Sequence, residues 1–282
     1  MDRYFGCHVS SAGGLHKALE NADILKVNAI QIHPSPPQIW TKPFKEDHEK
    51  EYLQRIKDSG VKKVFFHAIY LINLATPDKR KFHLSKMSLV YYLDLLARIK
   101  GDGVVVHVGS NRDQKTEEEG FERAAYGINW VLENSNPNSK LLLEVAAGSG
   151  AIIGDRMEEL RTIYDMVEDK KRVGFALDTQ HMWASGYDIK RDLEGVVKEI
   201  RKNFGLRKIG LVHLNDSKTE FNSKRDRHEN LGQGTIGSAA LKAFINHPAL
   251  AKIPVVLETP GLKTIDGAKS EVSKLKRMIS GK

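Results

Sequence analysis

The chain of 282 residues has one cysteine, Cys7, which excludes an intramolecular disulfide scaffold and a zinc site built from paired thiolates. A lone thiol fits a reducing compartment. No run approaches the roughly 18 consecutive apolar residues that a membrane-spanning helix needs, so no membrane span is expected. The opening Met1-Asp-Arg-Tyr-Phe-Gly-Cys-His8 places charges and a histidine where an export signal requires its apolar stretch, and the expected compartment is the cytoplasm. Fixed-period repeats and low-complexity linkers are also missing, so residues 1–282 read as a single domain. Acidic residues are in the minority, 36 against 44 Lys and Arg, which leaves a formal net charge of +8. The excess is spread along the chain, and a basic folded body favours a polyanionic partner.

What the sequence does contain is alternation. Eight short, β-branched apolar runs recur: Tyr4 to Val9, Ala29 to Ile32, Val64 to His67, Val104 to His107, Leu141 to Glu144, Val173 to Asp178, Ile209 to His213 and Val255 to Glu258. Their continuous apolar character is that of parallel strands buried on both faces. Between them lie amphipathic stretches such as Leu84 to Ile99 and Phe121 to Leu132, with apolar positions three and four apart. Eight strand-helix units without a break in composition predict an α/β protein with one closed (β/α)8 TIM barrel, rather than an open doubly wound sheet.

The ends of these runs carry the chemistry. Strands three to eight end in His67, His107, Glu144, Asp178, His213 and Glu258. A barrel brings all C-terminal strand ends to the same rim, where its active sites are built. A lone residue of this kind is usually a hydrogen-bonded structural group, but six consecutive ones are a cluster. Carboxylates gathered there repel one another unless protons or cations neutralise them. Just beyond the strand ends lie His181, three residues after Asp178, and the pair Asp226 and His228. Histidine with carboxylate and no thiolate suits zinc, and also manganese or iron. Nine candidates are too many for one tetrahedral ion and enough for two or three, a grouping suited to hydrolysis at a phosphate.

Taken in order, the segments resemble the endonuclease IV family of abasic-site endonucleases. The resemblance runs through His8-Val-Ser-Ser-Ala-Gly-Gly14, His67-Ala-Ile-Tyr-Leu-Ile-Asn-Leu74, His107-Val-Gly-Ser110, Asp178-Thr-Gln-His181, Ala184-Ser-Gly-Tyr-Asp188, His213-Leu-Asn-Asp-Ser-Lys218, Arg225-Asp-Arg-His228, Leu231-Gly-Gln-Gly234 and Leu257-Glu-Thr259. It implies a three-zinc TIM barrel. One ion would be held by His67, His107 and Glu144, a second by Asp178, His213 and Glu258 with Glu144 as the bridge, and a third by His181, Asp226 and His228. In that family a hydroxide between the first two ions, oriented by the residue matching Glu258, attacks the phosphate 5′ of an abasic sugar in duplex DNA. The products are a 3′-hydroxyl and a 5′-deoxyribose phosphate, and blocked 3′ ends are trimmed. The resemblance also implies a monomer, with Tyr70 and Leu71 inserted into bent DNA. Gln38 and Arg227 are further candidate DNA contacts, and His8 a residue supporting the metal ligands or the phosphate.

Four positions depart from the family pattern. Gln38 stands where an arginine probes the minor groove, in a loop stiffened by prolines. Glu144-Val-Ala-Ala-Gly148 keeps the ligand but lacks two polar neighbours, Gln180 replaces a cysteine, and Gln233 replaces a glutamate. The expectation is altered DNA recognition around an intact metal cluster. Two other readings stay open. A sugar isomerase or epimerase of the xylose-isomerase-like group would share the strand-end ligands, although His181, Asp226 and His228 would be surplus to it. A non-catalytic barrel binding damaged DNA would have no use for Glu144 and Glu258. His16, His33, His48, His83 and His247 are expected to be solvated or structural.

Overall fold

The computed structural model describes residues 3–35, 40 and 46–280; Gln38 lies outside them. Strands β1 (Phe5–His8), β2 (Ala29–Ile32), β3 (Lys63–His67), β4 (Gly103–Val106), β5 (Leu141–Glu144), β6 (Val173–Asp178) and β7 (Ile209–His213) precede a two-residue pair, β8 (Asp216–Ser217) and β9 (His228–Glu229), and then β10 (Val255–Leu257). The seven longer strands and β10 pair in parallel and close into a barrel in the order β1-β2-β3-β4-β5-β6-β7-β10. Around it run α1 (Leu15–Leu25), α2 (Glu46–Arg55), α3 (Lys79–Arg98), α4 (Glu117–Glu133), α5 (Met157–Asp165), α6 (Thr179–Ser185), α7 (Leu193–Asn203), α8 (Ser238–Asn246) and α9 (Ile265–Ser280). The expected (β/α)8 TIM barrel is therefore the fold.

Strand limits match the apolar runs to within a residue or so, with His107 and Glu258 one residue past β4 and β10. The helices α3 and α4 start earlier than their apolar periodicity shows, because their first turns are polar and capped. Asp78 accepts from the amides of Arg80 and Lys81, and Thr116 accepts from that of Glu119. Such caps each stabilise a helix by about 1 kcal/mol.

Inside the barrel, Ala29, Phe65, Val105, Leu142, Ala176, Leu211 and Val256 form a buried cluster that draws one residue from each of seven strands. Leu142 shows how closely it fits. A Cβ added at Gly103 or Gly210 would lie 2.8 Å from a Leu142 methyl, and one at Gly174 would lie 3.1 Å away. Glycines on three strands thus make room for one leucine. At Gly6 on β1 the space is taken by backbone, since a Cβ would fall 1.7 Å from the Ala29 carbonyl oxygen. A second and larger apolar layer lies between the barrel and its helices. Among the described residues no helix is long and apolar enough to cross a membrane. With both layers filled, polar groups are concentrated at the rim.

Candidate metal centre

Parallel register fixes the rim. Asp178 pairs with His213 across β6 and β7, and His8 pairs with Gln31 across β1 and β2. Strand-end side chains therefore converge at one depth, and the structure groups them in three sets whose ligand atoms lie within 4.8 Å of one another: His67, His107 and Glu144; Glu144, Asp178, His213 and Glu258; and Asp178, His181 and His228. The first two sets are those the family resemblance implies. In the third, Asp178 takes a place expected for Asp226. Asp226 nevertheless stands near, with Oδ2 at 3.5 Å from His181 Nε2 and Oδ1 at 3.4 Å from His228 Nε2. Its side chain is half exposed, at 51%. Asp178 is fully buried and reaches both neighbouring sets.

Glu144 is at the centre. Fully buried, its Oε1 lies 2.5 Å from His213 Nδ1 while Oε2 lies 3.2 Å from His67 Nε2 and 3.3 Å from His107 Nε2. His213 Nδ1 also lies 3.6 Å from Glu258 Oε2 and 4.0 Å from Asp178 Oδ2.

The outward nitrogens reveal which lone pairs point in. His67 Nδ1 donates to the Ala68 carbonyl at 2.8 Å, His181 Nδ1 to the Val145 carbonyl at 3.0 Å, and His228 Nδ1 to the Glu258 carbonyl at 3.2 Å. His213 Nε2 donates to Gln31 Oε1 at 2.8 Å. Each of these partners is an acceptor here, so each outer nitrogen carries a hydrogen and the other nitrogen is the one aimed into the cluster, the usual arrangement behind a metal-bound histidine. His181 Nε2 and His228 Nε2 face each other at 3.3 Å. Two lone pairs so close require a proton or a cation between or beside them. His107 alone of the five has a buried outer nitrogen, Nδ1, with no hydrogen-bond partner among the described residues.

The titration behaviour follows from these contacts. Burial by itself would lower the pKa of His213, but the charges of Glu258 and Glu144 outweigh it and raise it to about 9. His67 is raised too, its burial outweighed by the Glu144 hydrogen bond, and His181 is raised well above its ordinary value because Asp178 and Asp226 overcome burial. Burial would raise Glu144, yet its histidines hold it well below the carboxylate range. Glu258, likewise buried, is brought down to about 2 chiefly by His213 and His67. Protons on histidines thus balance the carboxylates where divalent ions would otherwise do so. The donor set fits such ions: carboxylates among imidazoles whose inward nitrogens converge and are freed for ligation when their protons leave.

Hydrogen bonds from side chains behind the ligands hold the cluster, and the main one comes from a residue that the sequence did not single out. Gln31, fully buried on β2, donates to Glu258 Oε1 at 2.5 Å and accepts from His213. Its amide nitrogen also lies 3.3 Å from His8 Nδ1. Glutamine is not a metal ligand, so only its rim register could have marked it. Asn215 makes a second tie, donating to Asp178 Oδ2 at 2.6 Å while its Oδ1 accepts from the Glu258 amide at 2.9 Å. Gln180, off the ligand positions as expected, donates to the Arg225 carbonyl at 2.9 Å and so fastens α6 to the loop bearing Asp226. Val145 and Ala146 are fully buried and add no polar side chain, although the Val145 carbonyl holds His181. Gln233 Oε1 accepts from Asn230 Nδ2 at 3.2 Å, a local contact.

Around the cluster, Tyr70 projects to solvent with 69% of its surface exposed, while the neighbouring Leu71 packs partly against the core. Desolvation by the surrounding rim, and then the charges of Glu258, Asp226 and Glu144, push the Tyr70 phenol up to about 12, so it stays neutral. Arg227 is exposed, with Nη1 donating to the Asp226 carbonyl at 2.7 Å. A cavity of about 780 Å³ lies on one side of Tyr70, walled by His8, His33, His228 and Glu258 among others. Another of about 550 Å³ lies on the other side, with Trp40, Lys81, His107 and Arg112 in its wall. Of the histidines set aside earlier, His16 pairs with Glu51 and His247 with Glu194, as structural groups do. His33, whose Nδ1 lies 3.1 Å from the His67 carbonyl oxygen, and His48 both stand in the wall of the first cavity.

Comparison with known proteins agrees with this geometry. A family model described as the xylose isomerase-like TIM barrel matches residues 19–278. A protein of Halothermothrix orenii named probable endonuclease 4 is 37% identical over 96% of this chain and 99% of its own length. One of the same name from Clostridium botulinum is 36% identical over 96% of this chain and 97% of its own. The crystal structure of endonuclease IV from Thermus thermophilus superimposes with a TM-score of 0.88 at 30% identity, covering 99% of this chain and all (100%) of the other. A D-tagatose 3-epimerase-like protein, 18% identical with a TM-score of 0.77 over 98% of this chain and 97% of its own, shares the fold.

Proposed function

Since the chain belongs to the endonuclease 4 family of xylose isomerase-like TIM barrels, we propose that it is a metal-dependent DNA repair endonuclease that hydrolyses the phosphodiester 5′ of abasic sites. Duplex DNA is the partner, and the products are a 3′-hydroxyl and a 5′-deoxyribose phosphate, with 3′-end trimming as a secondary activity. In this reading residues 1–282 act as one catalytic domain, monomeric and cytoplasmic. The observation that carries it is the inward turn of one ring nitrogen from each of four histidines, above all the facing Nε2 atoms of His181 and His228 at 3.3 Å. A one-ion isomerase would have no use for that third group.

Three zinc ions fit the donor sets, with manganese or iron able to replace zinc in part. His67, His107 and Glu144 would hold one, Glu144, Asp178, His213 and Glu258 another, and His181 and His228 the third with Asp226 or Asp178. Bound there, the ions would lower the pKa of a water towards 7 and neutralise charge on the phosphate. The chain supplies placement. Glu258, fixed by Gln31 and by the Asn215 amide oxygen on its backbone, orients the attacking water. Tyr70 and Leu71 fill the gap left by the missing base, with Tyr70 stacking where the base would be. Arg227 and Gln38 contact the DNA backbone and groove.

The test is incision of a duplex with one abasic site, with and without chelator, alongside elemental analysis of protein purified without added zinc. The expected results are a chelator-sensitive nick, about three ions per chain in keeping with the three donor sets, and loss of the nick in Glu258→Gln with the fold retained. An uncut duplex or a content near one ion would refute the proposal.

A further inference from the structure

His33 and His8 hold opposite tautomers side by side. His33 Nδ1 lies 3.1 Å from the His67 carbonyl oxygen. A carbonyl only accepts, so Nδ1 carries the hydrogen and His33 Nε2 keeps a lone pair. For His8 the orientation comes from Gln31. The side-chain atom of Gln31 at 2.5 Å from Glu258 Oε1 must be its amide nitrogen, because a carboxylate accepts, and the same nitrogen lies 3.3 Å from His8 Nδ1. His8 Nδ1 therefore accepts, and its hydrogen sits on Nε2. The ring centroids are 4.5 Å apart. Backbone contacts fix the two loops together: the Val9 amide donates to the Gln31 carbonyl at 2.9 Å, and Ser11 Oγ to the His33 carbonyl at 3.4 Å. Both rings wall the cavity that also holds Glu258 and Tyr70.

A donor on one ring and an acceptor on its neighbour in the same cavity wall are together the complement of a hydroxyl, which both gives and takes a hydrogen bond. The alternatives fit less well. Phosphate oxygens only accept and would oppose the His33 lone pair, whereas a metal ion would oppose the hydrogen on His8 Nε2. An apolar ligand would leave both nitrogens unsatisfied. We infer that the His8 and His33 pair reads a sugar hydroxyl, namely the C1′ hydroxyl that a hydrolysed abasic nucleotide carries in its ring-closed form. The inference rests on the abasic-site reading above and adds to it a preference between two substrates that both lack a base.

The experiment compares kcat/KM on duplexes carrying either a natural abasic site or its tetrahydrofuran analogue, which has hydrogen at C1′. Intrinsic differences between the two cancel when the natural-to-analogue ratio of the metal-loaded wild type is divided by that of a variant. The ratio should fall about 10-fold in His33→Phe, the value of one to two hydrogen bonds. His33→Gln, which restores an acceptor oxygen, should recover part of it, and both variants should keep wild-type metal content. An unchanged ratio in His33→Phe, or loss of a metal ion in that variant, would overturn the inference while leaving incision itself established. If the wild type cuts neither duplex, the abasic-site reading fails and the inference falls with it.

Discussion

Stripping the ions should turn the pH dependence of stability around His213. This ring is fully buried, and its pKa of about 9 lies above the 6.5 it has when unfolded, because Glu258 and Glu144 outweigh burial. A group raised in the folded state contributes stability that is fully present below its unfolded pKa and is lost as pH rises through the folded one. The window is therefore pH 6.5 to about 9, and the contribution is about 3 kcal/mol. His67 and His181 are raised as well and act in the same direction. The depressed pKa of Glu258 describes the same contacts from the other side, so it is not added; its share is present above 4.5 and lost as pH falls through about 2. His8, His33 and His107, pushed down by burial to about 3, 4 and 4, oppose folding only below pH 6.5. Chelated protein should thus be most stable near pH 6.5. Metal ligation requires neutral rings and strengthens with pH, so the loaded form should not share the loss. The gap in Tm between loaded and chelated protein should widen by about 6–12 °C across the window, at roughly 2–4 °C per kcal/mol. Calorimetry at pH 6.5, 7.5, 8.5 and 9 with and without chelator measures it. A chelated Tm that stays level or rises, with a constant gap, would refute the reasoning.

The same charge balance predicts that zinc added to chelated protein near pH 7 releases about two protons, from His181 and His213, and a further fraction from His67. Titration calorimetry in two buffers of different ionisation enthalpy reads this directly, and equal apparent enthalpies would contradict it. Gln31→Leu should lower kcat or metal affinity about 10- to 100-fold, because it unties His213 and Glu258 together; unchanged turnover and metal content would remove Gln31 from the site. Asp216→Asn should cost about 3 kcal/mol, since an amide nitrogen would then face backbone donors that now bind a carboxylate oxygen. Denaturant melts check that value, and a loss under 1 kcal/mol would show that the loop rearranges.

Asp216 marks the boundary of what the sequence discloses. It stands in the same segment as His213, yet it is no ligand: fully buried, it accepts from the amides of Ser217, Gly232, Gly234, Ile236 and Gly237. In one dimension it is indistinguishable from a metal carboxylate, and only its five amide donors assign it to holding the loop. The barrel itself was legible because each buried strand is a continuous apolar run, and a ligand at the end of such a run reaches the rim whatever the loops do. His67, Glu144 and His213 are placed by that rule alone. Beyond the strand ends the rule lapses: Asp226 stands within 3.5 Å of His181 and His228 from a half-exposed loop, while buried Asp178 also reaches both rings from the end of β6. Gln31 and His33 were illegible for a further reason. Their contributions lie in which nitrogen bears a hydrogen, and that is set by partners from other strands, Glu258 and His213 for Gln31 and the His67 carbonyl for His33. Ligands at strand ends can therefore be read along a chain, whereas ligands in the loops, and the orientation of all of them, can be read only across the barrel.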